Sequence, residues 1–195
     1  YTMILSLNKI IIFLIFPFCC FSQDISLSSM LIPKELTENA NSVVRNQKIE
    51  IEIPSQKLMI IKKSKTITVL NSKGINNIDA IEYYDKSTKV KSIEAIVYDS
   101  FGKEIKKIKR KDFIDQSVAD GFSVYSDDRK LYLNYTPIQY PFTIVYNCEI
   151  ETSNTAFIPT WFPVDDYYES VQNSTITIKY SADRSEERRV GKECT

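Results

Sequence analysis

The 195-residue chain carries 25 Lys plus Arg, 25 Asp plus Glu, four Cys and no His. Without histidine it holds no Ser-His-Asp or Cys-His catalytic group, no imidazole proton shuttle and no zinc site of the His-containing types. The length suits one domain of about 100 to 200 residues, and zero net charge argues against broad electrostatic capture of nucleic acid.

Met3 to Gln23 reads as a secretory signal peptide: a short polar start with Lys9, then an apolar run from Ile10 to Phe21. The run is shorter than the roughly 20 apolar residues a spanning helix needs. Residues 3–22 are therefore expected to be the signal helix, with cleavage between Ser22 and Gln23, leaving a membrane link only if the signal stays uncleaved. The product is expected to be exported: periplasmic, outer-membrane-associated or secreted.

The one helix expected after the signal lies at Pro33 to Glu38, where proline in the first turn and early acids fit a helix start. From Val43 onward the pattern has period two. Ile49, Ile51 and Ile53 alternate with Glu50 and Glu52. Leu58 to Leu70 places Met59, Ile61, Ile67 and Val69 on one face and Thr66 and Thr68 on the other, and Asn71 to Gly74 supplies the turn. Strands follow at Ile78 to Tyr84 and Val90 to Tyr98, the latter joined through Asp99–Gly102 to Glu104–Lys109 as a hairpin. Arg110 to Asp128 reads as a long excursion with one helical turn. Leu131, Leu133 and Tyr135 alternate again, and Phe142, Ile144, Tyr146, Cys148 and Ile150 share one face of the clearest strand. Asn173 to Tyr180 closes the set with Ile176, Ile178 and Tyr180 inward. The expected fold is an all-β antiparallel β-sandwich of about seven to ten strands, occupying residues 24–183 as a single domain.

The last stretch, residues 184–195, departs abruptly from this pattern and reads like an in-frame translation of a sequencing adapter, so it is set aside from the fold. Without it and the signal, 20 basic residues face 22 acidic ones, and Cys148 is the one cysteine left. An intrachain disulfide is then excluded.

Cys148 shares the parity of apolar residues, so it reads as a small core hydrophobe and not as a nucleophile. The basic run Lys103 to Lys111 reads as the polar face and edge of a hairpin strand, where lysines discourage edge pairing, and Lys62, Lys63 and Lys65 are expected to serve similarly. The pairs Asp127–Asp128 and Asp165–Asp166 show neither the frame of a calcium loop nor that of paired catalytic carboxylates, and read as solvated turns. Neither a catalytic residue nor a metal or cofactor site is expected. Asn154 to Tyr168 is the most distinctive segment: Trp161, Phe157, Phe162 and Tyr167 are its binding candidates, able to line a glycan or peptide groove by stacking. The segment reads equally as a rigid crossover packing on the sheet or on a following domain.

IPKELTENANSVVR near the start, TVLNSKG at Thr68 to Gly74, YDSFGKEIKKIKRKDF at Tyr98 to Phe113, and the stretch from Ser126 to Pro163 together resemble the domain of unknown function 3857. The resemblance covers about Ile32 to Tyr180. It implies a β-sandwich in an exported bacterial protein, standing ahead of a transglutaminase-like domain with a papain-like Cys-His-Asp group, and it brings no catalytic residues to this chain. The expected function is thus a non-catalytic exported module, the N-terminal part of a larger protein, that packs on or presents substrate to the next domain; the alternative is an independent glycan- or peptide-binding module using the Trp161 region. The expected partner is that downstream domain, with peptide or glycan as a further possibility and no nucleic acid.

Overall fold

The computed structural model describes residues 25–118 and 127–180. The expected signal peptide with its Ser22–Gln23 cleavage point and the tail at 184–195 lie outside the described residues. Period-two alternation builds one large sheet from β1 (Ser42–Ser55), β2 (Leu58–Val69), β4 (Thr88–Tyr98), β5 (Glu104–Lys109), β8 (Phe142–Thr152), β9 (Glu169–Val171) and β10 (Ser174–Tyr180), in the order β10-β1-β2-β8-β4-β5 with β9 beside β1. A smaller sheet of β3 (Ile81–Tyr84), β6 (Ile114–Ser117) and β7 (Arg129–Tyr132) has the order β3-β7-β6. Leu131, Phe113, Ile78 and Ala80 bring its side of the core against Ile93, Ala95, Ile108 and Tyr146 of the large sheet. The molecule is an all-β sandwich. The helix is a single turn, α1 (Lys34–Thr37).

Register fixes two faces on the large sheet. Ile51, Ile61 and Ile150 lie side by side across β1, β2 and β8, and Ile67 pairs with Ile144, so these residues form the inner face. The outer face carries Glu50, Glu52, Lys62, Glu149 and Glu94, tied by exposed ion pairs such as Lys48–Glu50 at 2.9 Å and Lys107–Glu94 at 3.5 Å. At one end the segment before β1 covers this outer face. There Thr68 and Thr143, both fully buried, share a 2.8 Å hydrogen bond, and Thr143 also donates to Leu27 O.

Four expectations are corrected. The sheet is not wholly antiparallel, because β9 and β10 both run parallel to β1. β8 lies two strands away from β1 through two antiparallel pairings, so it too runs parallel to β9, and parallel strands need a crossover connection; residues 153–168 are that crossover. Secondly, the strand expected from Ile78 begins only at Ile81, since Asn76–Ile78 is a 3₁₀ turn closed by Asp79 in the left-handed region (φ 46°), which a short polar side chain tolerates. Thirdly, the excursion after Arg110 holds the extra strand β6 beside its one helical turn, Arg110–Asp112. The fourth concerns β2. It is a central strand, and Lys63 and Lys65 fall on its inner face, paired with Cys148 and Tyr146. Lys62 alone of the three points to the polar outer face, while the basic run on β5 does occupy a sheet edge.

Candidate functional site

Three positions break the apolar inner pattern, Lys63 and Lys65 on β2 and Glu82 on β3, and Lys63 and Glu82 face each other. β3 turns Ile81 and Tyr83 outward and Glu82 inward, leaving Glu82 with 4% exposure. An isolated buried carboxylate is costly. Lys63, arriving from the opposing sheet, meets it with its Nζ at 2.8 and 2.9 Å from the two carboxylate oxygens, and the Tyr146 hydroxyl donates to Oε1 at 3.0 Å. Burial and the neighbouring Glu82 charge push the Tyr146 phenol far above its ordinary value. The same two causes push the Cys148 thiol up to about 12. Lys65 donates to the carbonyl of Asn77 at 2.9 Å, and the Asn77 amide in turn donates to Ser42 Oγ at 3.0 Å.

The crossover passes over this polar part of the inner face and leaves a cleft of about 180 Å³. Its floor is formed by Lys63 and Lys65 of β2 with Ile49 of β1; Asp79 and Ile81 stand on one side, and Phe162, Asp165 and Glu169 on the other. Asp79 is held above the usual carboxylate range, chiefly by burial, with the Asp165 charge adding and the Lys65 charge opposing. Glu169 is raised for the same main reason, with Asp165 and Asp166 adding. Among the described residues no group of three or more His, Cys, Asp or Glu side chains is placed to hold a metal ion.

The four aromatic binding candidates separate. Trp161 is an anchor: its indole N–H donates to Ser174 Oγ at 3.0 Å, and that hydroxyl donates to Gln47 Oε1 at 2.9 Å, tying the crossover to β10 and β1. Phe162 lines the cleft. Phe157 and Tyr167 stand out into solvent, at 75% and 88% exposure. Cys148 is buried on the inner face. Asp127 and Asp128 are exposed, and Asp165, also exposed, reaches the rim of the cleft. Glu82, Lys63, Lys65, Asp79 and Glu169 were not candidates. The readable signal lay in β2, where two lysines occupy the parity of Ile61 and Ile67.

The fold and cleft define an all-β sandwich module with a charged pocket under its crossover. The sequence matches the Domain of Unknown Function with solved structure (DUF3857) over residues 55–189, and the chain belongs to that family. No match is found among curated proteins. Among solved structures, a candidate protease from Parabacteroides distasonis ATCC 8503 is similar over 63% of this chain and 24% of its own, at 13% identity and a TM-score of 0.44. Legionella pneumophila aminopeptidase A in complex with aspartic acid matches over 56% of this chain and 10% of its own, at 14% identity and a TM-score of 0.25. An M1 zinc metallopeptidase from Deinococcus radiodurans matches over 58% of this chain and 21% of its own, at 8% identity and a TM-score of 0.26. These likenesses are too remote to carry an argument about activity, and this chain spans less than a quarter of each protein.

Proposed function

We propose that this chain is a non-catalytic, exported module, the N-terminal part of a larger transglutaminase-like protein, whose crossover packs on the domain that follows or presents substrate to it. One observation carries the reading: Phe157, Phe162, Val164, Tyr167 and Tyr168 are all exposed on a segment whose backbone is fixed. Thr155 Oγ1 donates to Gln56 O at 2.8 Å, Trp161 is tied to Ser174, and Asn41 N donates to Tyr168 O at 2.7 Å. Several large apolar side chains left exposed on one held segment mark a protein-interaction site more often than a solvated loop. The adjoining strand β10 also leaves Ile178 and Tyr180 exposed, so a domain following Tyr180 leaves from the same edge. The alternative, an independent glycan- or peptide-binding module centred on Trp161, is weakened by the commitment of the indole N–H to Ser174. The test is to read the source gene beyond the codon for Asp183, express what it encodes, and titrate it into this module while following amide resonances. Shifts centred on residues 157–168 are expected; a stop codon soon after Asp183, or shifts confined to the outer face, would refute the reading.

A further inference from the structure

We infer that the cleft beneath the crossover binds one long cationic side chain, lysine or arginine, presented by a peptide. Size comes first. The cleft, at about 180 Å³, has room for a single extended side chain. Charge comes next. Lys63 and Glu82 cancel each other at 2.8 Å. Lys48, at the margin, turns its ammonium to Glu50 on the outer face. Lys65 donates to a neutral carbonyl and therefore stands alone against Asp79, Asp165 and Glu169.

The excess of two negative charges favours a cationic occupant. A metal ion does not fit, because these carboxylates are not grouped closely enough to share one. An organic cation with an apolar stem does. Ile49, Ile81 and Phe162 supply wall for the methylenes. Partial desolvation of the exposed Asp79 and the half-buried Glu169 raises both carboxyls above their ordinary values, so each gains from a cation brought beside it. This inference goes beyond the docking role of the crossover, since it rests on the inner-face charges and holds whichever domain follows.

The test uses the whole chain and three blocked amino acids: N-acetyl-lysine methylamide, N-acetyl-arginine methylamide, and N-acetyl-norleucine methylamide as the uncharged counterpart. Amide shifts are followed during titration. The lysine and arginine probes are expected to shift resonances of Asp79, Phe162 and Glu169, with norleucine binding about tenfold or more weakly. The D79N/E169Q double variant is expected to weaken the cationic probes by about tenfold again; asparagine is well suited to the left-handed backbone at 79, and the dispersed amide spectrum reports the fold. Norleucine binding as well as lysine would overturn the inference, as would shifts on the outer face, or no shift at all with the wild-type chain. The wild-type comparison of lysine with norleucine decides the matter even if the variant fails to fold.

Discussion

Glu82, Lys63 and Tyr146 form a polar unit inside an otherwise apolar sandwich, and its strength lies in completeness. Among the described residues no buried side-chain nitrogen or oxygen lacks a partner. Removing one member leaves the others exposed to the cost of burial. Lys63→Met is expected to destabilise the fold by about 3 kcal/mol in urea unfolding, because Glu82 then keeps only the Tyr146 hydroxyl. The double variant Lys63→Met with Glu82→Met is expected to recover most of that loss, since well-packed apolar replacements of a buried pair are often neutral; equal losses in the single and double variants would show that an orphaned Glu82 is not the cause and that the pair itself is stabilising. Cys148, whose thiol is raised to about 12, is expected to resist maleimide in the native state and to react fully in denaturant. Native labelling at the rate of a free thiol would contradict its burial. Asp79 carries a sign of its own. Its carboxyl is raised in the folded chain, so folding binds a proton there more tightly than the unfolded chain does, and the charged form costs stability. That cost is present above the folded pKa and disappears as pH falls through it toward the ordinary aspartate value. Asp79→Asn should therefore unfold at higher urea than wild type near neutral pH, with the gain vanishing on acidification; a gain that persists in acid would point to a cause other than the charge.

At the scale of elements, legibility followed length. The period-two strands β1, β2, β4 and β8, eleven to fourteen residues each, repeat their alternation often enough to be read directly. β6 and β9 have four and three residues, too few to show a period. Parallel pairing of β9 and β10 with β1 was not readable at all, because alternation reports which face a residue occupies and is silent on neighbour or direction. For Ile178 and Tyr180 the inward parity was right, but among the described residues nothing covers that part of the face, and both are exposed there. The candidate site was legible only in part. Phe162 was singled out as aromatic, whereas Lys63 and Glu82 looked like ordinary surface charges because each makes sense only opposite the other. Turn geometry gives a sharper test. Gly74 is buried against the backbone of Asn41, whose carbonyl oxygen occupies the place a β-carbon would take. Gly74→Ala is expected to cost roughly 1–3 kcal/mol as overpacking. Gly102, at φ 82° in the Asp99–Lys103 turn, should cost about 1 kcal/mol on the same change. Thermal unfolding of both variants checks the order, and a larger loss at Gly102 would contradict the close approach at Gly74.

Over the whole molecule, the two broad surfaces differ in kind. The outer face is a solvated lattice of exposed ion pairs, each worth a fraction of a kcal/mol, and it has little to offer a partner. The inner face is closed on one side by the small sheet and spanned by the crossover, which seats its backbone firmly and directs aromatic rings outward. A backbone held in place before binding spares a partner the cost of ordering the segment, so it gains burial of the rings at lower entropic cost. The central claim is that these rings serve a partner domain and contribute nothing to the fold of the module itself. The measurement that tests it most directly pairs thermal unfolding with binding of the polypeptide encoded downstream, for the double variant Phe157→Ser with Tyr167→Ser. The account predicts an unchanged or slightly raised melting temperature together with binding weakened by about tenfold or more. A melting temperature lowered by several degrees, or binding equal to that of the wild type, would contradict it.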